Sequence, residues 1–484
     1  MIASLRELNS KKELFRQQRE AQWDMVSAKG YDEKSMGGAY HRRIRDVYRF
    51  LIPPDSRVLE LGCAAGKILG GIDPKEGLGV DFSKEMIARA KSSYPELKFI
   101  HADVHKLSAI KGPFDFIILS DLINDVWDVQ TVLEEVLKLS TPKTRILLNV
   151  QSHLWELPLR MTMGLGLSIP KLPQNWFTRD DILNILNLTG FQVIFQWQEI
   201  LLPLDIPVLN KLFNRYLVKF WPLNYLALSN FFVTRLAPLG QESHKQPSVS
   251  IVVAARNEAG NIDDIFRRTP EIGSKTELIF VEGHSSDNTY ETIKKAIAAN
   301  PGRNARLFRQ TGKGKGDAIR KGFKEAKGDV LMILDADLTV SPEDLPRFYN
   351  ALLGGKGEFI NGVRLVYPLE KEAMRFFNII GNKFFSLTFS WLLGQPIKDT
   401  LCGTKVLWRR DYKVIEANRS YFGEFDPFGD FDLIFGATKH NLKLVDLPVR
   451  YGSRNYGETN ISRWRHGLLL LKMVVFAAKR LKFR

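Results

Sequence analysis

Apolar positions recur along this chain in short blocks separated by polar turns. In the first half the blocks are RVLELG (57–62), EGLGVD (76–81), LKFIHAD (97–103), FDFIILSD (114–121) and TRILLNV (144–150). Helix-period segments, SKEMIARAKSSY and VQTVLEEVLKLS, fall among them, and strands alternating with helices predict a parallel, doubly wound sheet. TGFQVIFQWQEI and NFFVTRLAP read as two more strands flanking an apolar insert, Val208 to Leu228. A hairpin of these two would complete a seven-stranded sheet by about Pro238. The polar stretch LGQESHKQP (239–247) reads as a linker. A second alternating series opens at about Ser248, with VSIVVAARNE, TELIFVEG, ARLFRQ and DVLMILDADL as strands and NIDDIFRRT, TYETIKKAIAAN and KGDAIRKGFKEA as helices. The fold class is therefore α/β twice over, and the turn motifs of the halves differ.

In VLELGCAAGK the first strand runs into small residues, where backbone amides can approach a ligand closely. Glu60 lies inside that strand, Asp81 ends the next and Asp103 ends the third. Asp81 falls 19 positions after Gly62, where a carboxylate can accept ribose hydroxyls. Each acid could instead cap a turn, but three at successive strand ends point to a nucleotide-type ligand. Over 44–238 the sequence resembles a class I S-adenosylmethionine-dependent methyltransferase, on E-L-G-C-A-A-G, V-D-F-S, H-A-D and F-D-F-I-I-L-S-D. The resemblance implies a seven-stranded Rossmann-like sheet in which Gly62, Ala64 and Gly66 shape the methionine pocket beside Glu60. Asp81 would hold the ribose and Asp103 the adenine. Ala64 departs from the usual middle glycine. An NAD-binding domain is the alternative, and it gives no reason for Glu60 or for the two closing strands. Ser120, Asp121, Asn124 and Asp125 follow the fourth strand, where the methyl group would sit; the acceptor itself leaves no signature.

In VLMILDADLTVSPEDL two carboxylates, Asp335 and Asp337, stand one residue apart where a strand ends, ahead of a helix expected to begin at Ser341 with Pro342 at its first position. Alone, such a pair suits a solvated turn. Its neighbours are Ala255-Arg256-Asn257-Glu258 after the first strand of the series, Glu282 and Asp287 around the second, and a glycine–lysine loop, TGKGKGD, whose cations suit phosphate. A-R-N-E, S-S-D-N-T, G-K-G-D-A and D-A-D, in this order, resemble an inverting family 2 glycosyltransferase of the GT-A fold, over about 248–462.

That resemblance implies that Ala255, Arg256, Glu258, Glu282, Asp287, Lys313 and Asp335 surround a nucleotide-diphosphate sugar. Asp335 and Asp337 would meet a divalent cation, Mg2+ or Mn2+, on the donor diphosphate; a hard cation held by one or two carboxylates suits that leaving group. Glu282 stands where family members often carry aspartate. Arg364, Arg375 and Arg454 resemble the arginines that clamp lipid phosphate in polyprenyl-phosphate glycosyltransferases, so the acceptor is a polyprenyl phosphate or a glycan. A phosphate acceptor is already an anion; a hydroxyl needs a base, for which Asp430 and Asp432 are the candidates.

Composition sharpens the picture in three places. At 484 residues, with 44% hydrophobic and 25% charged positions, the chain suits two or three folded domains. Two distant cysteines, Cys63 and Cys402, give neither a disulfide framework nor a metal site and suit a reducing cytoplasm. The net charge of +15 calls for anionic partners, but no stacking platform or recognition helix accompanies it, so nucleic acid is not expected. Residues 1–43 read as a helical extension with no apolar leader. Residues 463–484 carry seven cations and no acid, and the apolar run from Leu468 to Ala478 is too short to span a bilayer. The segment suits an amphipathic helix on an anionic membrane surface, with Trp464 and Phe483 as anchors and Lys472 and Lys479 on its cationic stripe. The sequence-level expectation is a bifunctional, cytoplasmic transferase, peripheral on the inner face of the membrane. The rival reading makes the first domain a non-catalytic module.

Overall fold

Blocks rich in Val, Ile and Leu become central strands because a parallel ladder is covered on both faces and so tolerates no polar alternation. The computed structural model describes residues 2–28, 38–164, 172–238, 246–364, 376–423, 429–452, 456 and 463–484. The chain divides into two compact units, Met1–Ala237 and Pro238–Arg484. Most of the expected linker, like Arg375 and Arg454, lies outside the described residues.

In the first unit, β1 (Arg57–Leu61), β2 (Glu76–Asp81), β3 (Lys98–His101), β4 (Phe116–Ser120) and β5 (Arg145–Gln151) run parallel. Every position of β5 is buried. β6 (Phe191–Glu199) and β7 (Ser229–Leu236) close the seven-stranded sheet as an antiparallel pair, in the order β3-β2-β1-β4-β5-β7-β6. The strand order reverses between β1 and β4, so their outgoing chains diverge and leave a crevice at the carboxyl ends. Two helices precede the sheet, α1 (Ile2–Ala28) and α2 (Gly38–Leu51). In α2 the residues Tyr40, Ile44, Val47, Tyr48 and Leu51 are buried, the spacing of one helix face.

The second unit repeats the device with different parts. β8 (Val249–Ala255), β9 (Thr276–Glu282), β10 (Ala305–Arg309) and β11 (Val330–Asp335) are parallel. β12 (Phe359–Val363), β13 (Lys405–Trp408) and β14 (Leu444–Pro448) complete the order β10-β9-β8-β11-β13-β12-β14, with β13 antiparallel to both of its neighbours. Here the switch lies between β8 and β11, which brings the loop after Ala255 beside Asp335. The helix expected from Ser341 starts differently: Pro342–Asp344 form a 3-10 turn and the α-helix runs Leu345–Leu353. Ser341 makes no backbone cap, because its hydroxyl bonds Glu343 and receives Nη2 of Arg268 at 3.1 Å.

The last helix runs Arg463–Ala477, with a wider turn over Ala478–Lys482. Leu470, Met473 and Ala477 are buried, while Leu468, Leu471 and Val475 are exposed. Phe483, expected as an interfacial anchor, instead packs edge-on against Trp391 at 5.8 Å, and Lys482 Nζ donates to the Trp391 carbonyl at 2.8 Å. Among the described residues no helix is long and apolar enough to cross a membrane.

Candidate active sites

At the first switch point the turn after β1 takes Gly62, Ala64 and Gly66 through positive φ (72°, 43° and 73°). Glycine adopts that region freely and alanine only at a cost, so the turn is held by its surroundings. Asp81 supplies part of that hold: its carboxylate accepts the Ala64 amide at 2.8 Å and the Ser83 amide at 2.9 Å. Burial pushes its carboxyl up from the ordinary range, and these amides oppose the shift. Glu60 is also buried, accepts the Leu69 amide at 3.1 Å, and is pushed by burial to about 8, so its described bond serves the turn. At Asp103 burial pulls the carboxyl up, but hydrogen bonds from the His105 amide (2.9 Å) and Nδ1 (2.7 Å) outweigh it and hold the carboxyl low.

Across the crevice Asp121 stands at φ 53° directly after β4. The Tyr40 hydroxyl donates to both its oxygens, at 2.8 and 2.9 Å, and Asn149 Nδ2 donates at 2.8 Å. Asn149 Oδ1 in turn accepts Tyr48 Oη at 2.6 Å and Ser120 Oγ at 2.9 Å. Tyr40, Tyr48 and Asn149 are not among the residues expected from sequence, although the eight-residue step between the two tyrosines places them on one face of α2.

The expected N-terminal extension covers the turn. Trp23 Nε1 and Arg19 Nε donate to Asp125 at 3.0 and 2.9 Å, Asp24 accepts Ser83 Oγ at 2.5 Å, and Val26 packs with Ala65 and Met86. A turn of backbone amides, acids on adjacent strand ends and a covering helix fit a nucleoside ligand such as S-adenosylmethionine.

At the second switch point Asp335 lies at the centre of a half-buried charge cluster. Lys315 Nζ donates to its Oδ1 at 2.5 Å. Burial would raise the Asp335 carboxyl, but the ammonium outweighs it and the carboxyl is held low; Lys315, in the opposite sense, is held high against its own burial. Gly403 presses on the other oxygen: a Cβ there would lie 2.0 Å from Asp335 Oδ2. Gly429 (φ 79°) touches Gly316, where a Cβ would meet the Gly316 Cα at 2.3 Å, and this contact carries Asp430 to the head of the helix Lys315–Glu325. Asp430 is already paired, to the fully buried Lys405 Nζ at 2.8 Å. Asp432 turns elsewhere, to Arg419 at 3.0 Å, and burial raises its carboxyl. The two acids named together as possible bases are thus separated.

Asp337 accepts the Thr339 amide (3.1 Å) and hydroxyl (2.8 Å), the turn role that the isolated motif suggested. Arg364 is fastened to the buried Asp399 through Nε at 2.7 Å and Nη2 at 2.9 Å, so part of its guanidinium is committed to the chain. The loops after β8 and β9 are laced together: Asn257 Oδ1 accepts the Ser286 amide at 2.8 Å, and Glu282 accepts the Ser285 amide at 2.6 Å. The Glu258 carboxylate accepts Asn261 Nδ2 at 2.7 Å and its amide donates to Thr289 Oγ1 at 3.0 Å; Asp287 accepts the Thr289 amide, also at 3.0 Å. Ala255 is buried, its carbonyl accepting the Gly283 amide at 2.9 Å, while Arg256 and Lys313 are exposed. Of the two loop lysines, Lys315 is the one at the carboxylate; Gly314 at φ 84° turns the chain between them.

Among the described residues no three His, Cys, Asp or Glu side chains group as a metal cage. Asp335 with Asp337 fits a hard cation that takes its remaining ligands from a diphosphate and water, and the Lys315 ammonium already marks a cation position on Asp335.

Residues 36–196 match the family model for a methyltransferase domain, and residues 250–413 match the model for glycosyl transferase family 2. The chain is 29% identical over 219 residues to a dolichol-phosphate mannosyltransferase of Pyrococcus furiosus, covering 44% of this chain and 59% of that protein. It is 38% identical over 109 residues to the enzyme of that name from Saccharomyces cerevisiae, covering 21% and 40%. It thus spans about half the length of these relatives. A glucosyl-3-phosphoglycerate synthase structure from Mycobacterium tuberculosis, in complex with Mn2+, UDP-glucose and glycerol 3-phosphate, aligns over 49% of this chain and 81% of its own. Its TM-score of 0.37 and 18% identity make it too distant a likeness to carry substrate or metal.

Proposed function

We propose that this chain, which joins a methyltransferase domain to a family 2 glycosyltransferase domain, performs two group transfers. One passes a glycosyl group, with inversion, from a nucleotide-diphosphate sugar to a polyprenyl phosphate. The other passes a methyl group from S-adenosylmethionine to a separate acceptor site. The observation that carries the first is the Asp335 cluster at the β8/β11 switch point. A divalent cation held there by Asp335 and Asp337 would neutralise charge on the departing diphosphate. Lys315 and the loops bearing Glu258, Glu282 and Asp287 would position the nucleotide, and Arg364 would face the acceptor.

A phosphate acceptor suits the site better than a glycan hydroxyl. Its oxygen is already anionic, so its lone pair forms the bond to the anomeric carbon while the bond to the diphosphate breaks, and no proton moves. Asp430, the base that a hydroxyl would need, is neutralised by Lys405 at 2.8 Å. The exposed Leu468, Leu471 and Val475, beside Lys472, Lys479 and Arg480, support peripheral attachment to an anionic membrane on the cytoplasmic side.

In the first unit the bound cofactor would supply an electrophilic methyl carbon and a neutral thioether leaving group. An acceptor lone pair would take that carbon in exchange for the carbon–sulfur bond, and any acceptor proton would leave to solvent. Asp81 and Asp103 would hold ribose and adenine, and α1 would exclude water. A thermal-shift screen of nucleotide sugars, with and without Mn2+ or Mg2+, tests the glycosyl reading: one donor should stabilise the protein in a cation-dependent way. Uniform indifference to all donors would overturn it.

A further inference from the structure

Residues 200–228, between β6 and β7, bury Ile200, Val218 and Leu228 but carry a second set of apolar side chains outward. The insert is firmly built: Asn214 Oδ1 accepts the amides of Leu201 and Leu202 at 2.8 and 2.9 Å, and Asn210 Nδ2 donates to the Leu204 carbonyl at 2.9 Å. Lys219 and Arg43 both bond the buried Glu199 at its base. On this fixed frame Leu209, Leu212 and Tyr216 follow one another at helical spacing and all face solvent. Val208 is 79% exposed at φ 67°, a region costly for a β-branched residue, and Trp221 is 78% exposed. A water-facing helix stripe is ordinarily polar. The patch continues onto the helix Glu156–Gly164: Trp155 Nε1 donates to the Leu226 carbonyl at 2.9 Å, and Leu157 and Met161 are exposed beside it.

We propose that this face docks on an anionic lipid surface and that the methyl acceptor is an amphiphile anchored in that surface. Charge and composition choose the occupant. The sole acid in residues 200–228, Asp205, is paired to Arg42, whereas Lys211 and Arg215 rise from the same turns as Leu209, Leu212 and Tyr216. Tryptophan, tyrosine and leucine interleaved with cations match the boundary between acyl chains and anionic headgroups. Position chooses the acceptor. The insert leaves the sheet at Glu199 and re-enters at Ser229, which pair with each other, and Ser229 also pairs with Gln151 at the end of β5. That is the edge carrying Asn149 and Asp121, so a surface under the patch borders the first crevice. The acceptor half of this proposal rests on the methyltransferase reading; the docking half does not.

Both native cysteines are buried, so a Leu212→Cys variant of the full chain can carry one environment-sensitive fluorophore on the insert, with Lys91→Cys as a label elsewhere on the first unit. Vesicles of phosphatidylcholine with phosphatidylglycerol should blue-shift the label at 212, brominated acyl chains should quench it, and the label at 91 should change in neither respect. Trp221→Ser should weaken vesicle partition roughly 10-fold or more, the worth of one apolar side chain taken out of water. A label at 212 that stays water-like while the protein floats with vesicles would overturn docking. So would one that is apolar without vesicles, which would indicate the second unit, another copy or a protein partner. Methyl-labelled S-adenosylmethionine incubated with membrane lipids should leave label in the chloroform phase. Label only in water-soluble product would overturn the acceptor half. Failure to bind S-adenosylmethionine in calorimetry would overturn the methyltransferase reading and leave docking standing.

Discussion

Replacing Gly403 by alanine should damage glycosyl transfer far more than it damages folding. The new Cβ would sit 2.0 Å from Asp335 Oδ2 and 2.4 Å from its Cγ, where an ordinary contact needs about 3.4 Å or more. Either the loop or the carboxylate must therefore move by at least about 1.4 Å. The obstacle is the end of a side chain, so rotation of Asp335 relieves much of the clash and the folding cost falls near the low end of the overpacking range, about 1 kcal/mol. That rotation takes Oδ1 off Lys315, now at 2.5 Å. Displacements of this size at a reacting centre cost about 100-fold in rate, roughly 3 kcal/mol of barrier. The assay pairs thermal unfolding with turnover of whichever donor stabilises the protein. Gly302→Ala serves as control, because nothing lies within 4 Å of a Cβ there. Turnover and cation affinity matching the wild type in Gly403→Ala would refute the placement of Asp335.

Asp430→Asn strands the Lys405 ammonium, which is fully buried, and should destabilise the second unit by about 3–5 kcal/mol in urea unfolding; Lys405→Met with Asp430→Asn should recover most of it, and a double variant no better than the single would show that the pair is not the cause. If the acceptor is a phosphate, that double variant also keeps substantial turnover. Burial raises Glu60 to about 8, well above its unfolded value. The native state then holds a proton that the unfolded state has released, and stability should fall as pH rises between about 4.5 and 8, by about 1.4 kcal/mol per unit from this group. Glu60→Gln should flatten that slope in urea titrations at pH 6 and 7.5, and an unchanged slope would assign it elsewhere. Asp81→Asn should weaken S-adenosylmethionine about 10- to 100-fold in calorimetry, the worth of a charged hydrogen bond; equal affinity would remove Asp81 from the ribose.

The two sheets were legible because each apolar block is bounded by turn residues and each carboxyl-end loop carries its own motif. The pairing of charges was not. TGKGKGD presents two lysines alike, and the phosphate-facing role was expected of Lys313. The positive φ of Gly314 and the Gly316–Gly429 contact set Lys315, which carried no separate expectation, against Asp335, and that contact joins residues more than a hundred positions apart in the chain. Asp430 and Asp432 look equivalent in FDPFGDFDLIF, yet the start of the helix Phe431–Lys439 sends one to Lys405 and the other to Arg419. Tyr40 lies in a segment that reads only as an amphipathic helix, so its bond to Asp121 needed the fold to be found. In each case local pattern fixes the element, while the partner comes from a distant segment whose register the pattern does not encode.

The central claim, that Asp335 holds the cation serving the donor diphosphate, is tested most directly by titrating Mn2+ into the full chain with a stabilising nucleotide sugar present. The wild type should bind one ion per chain in the calorimeter, and Asp335→Asn, with its unfolding temperature preserved, should bind none. Equal Mn2+ affinity in the two proteins would contradict the account.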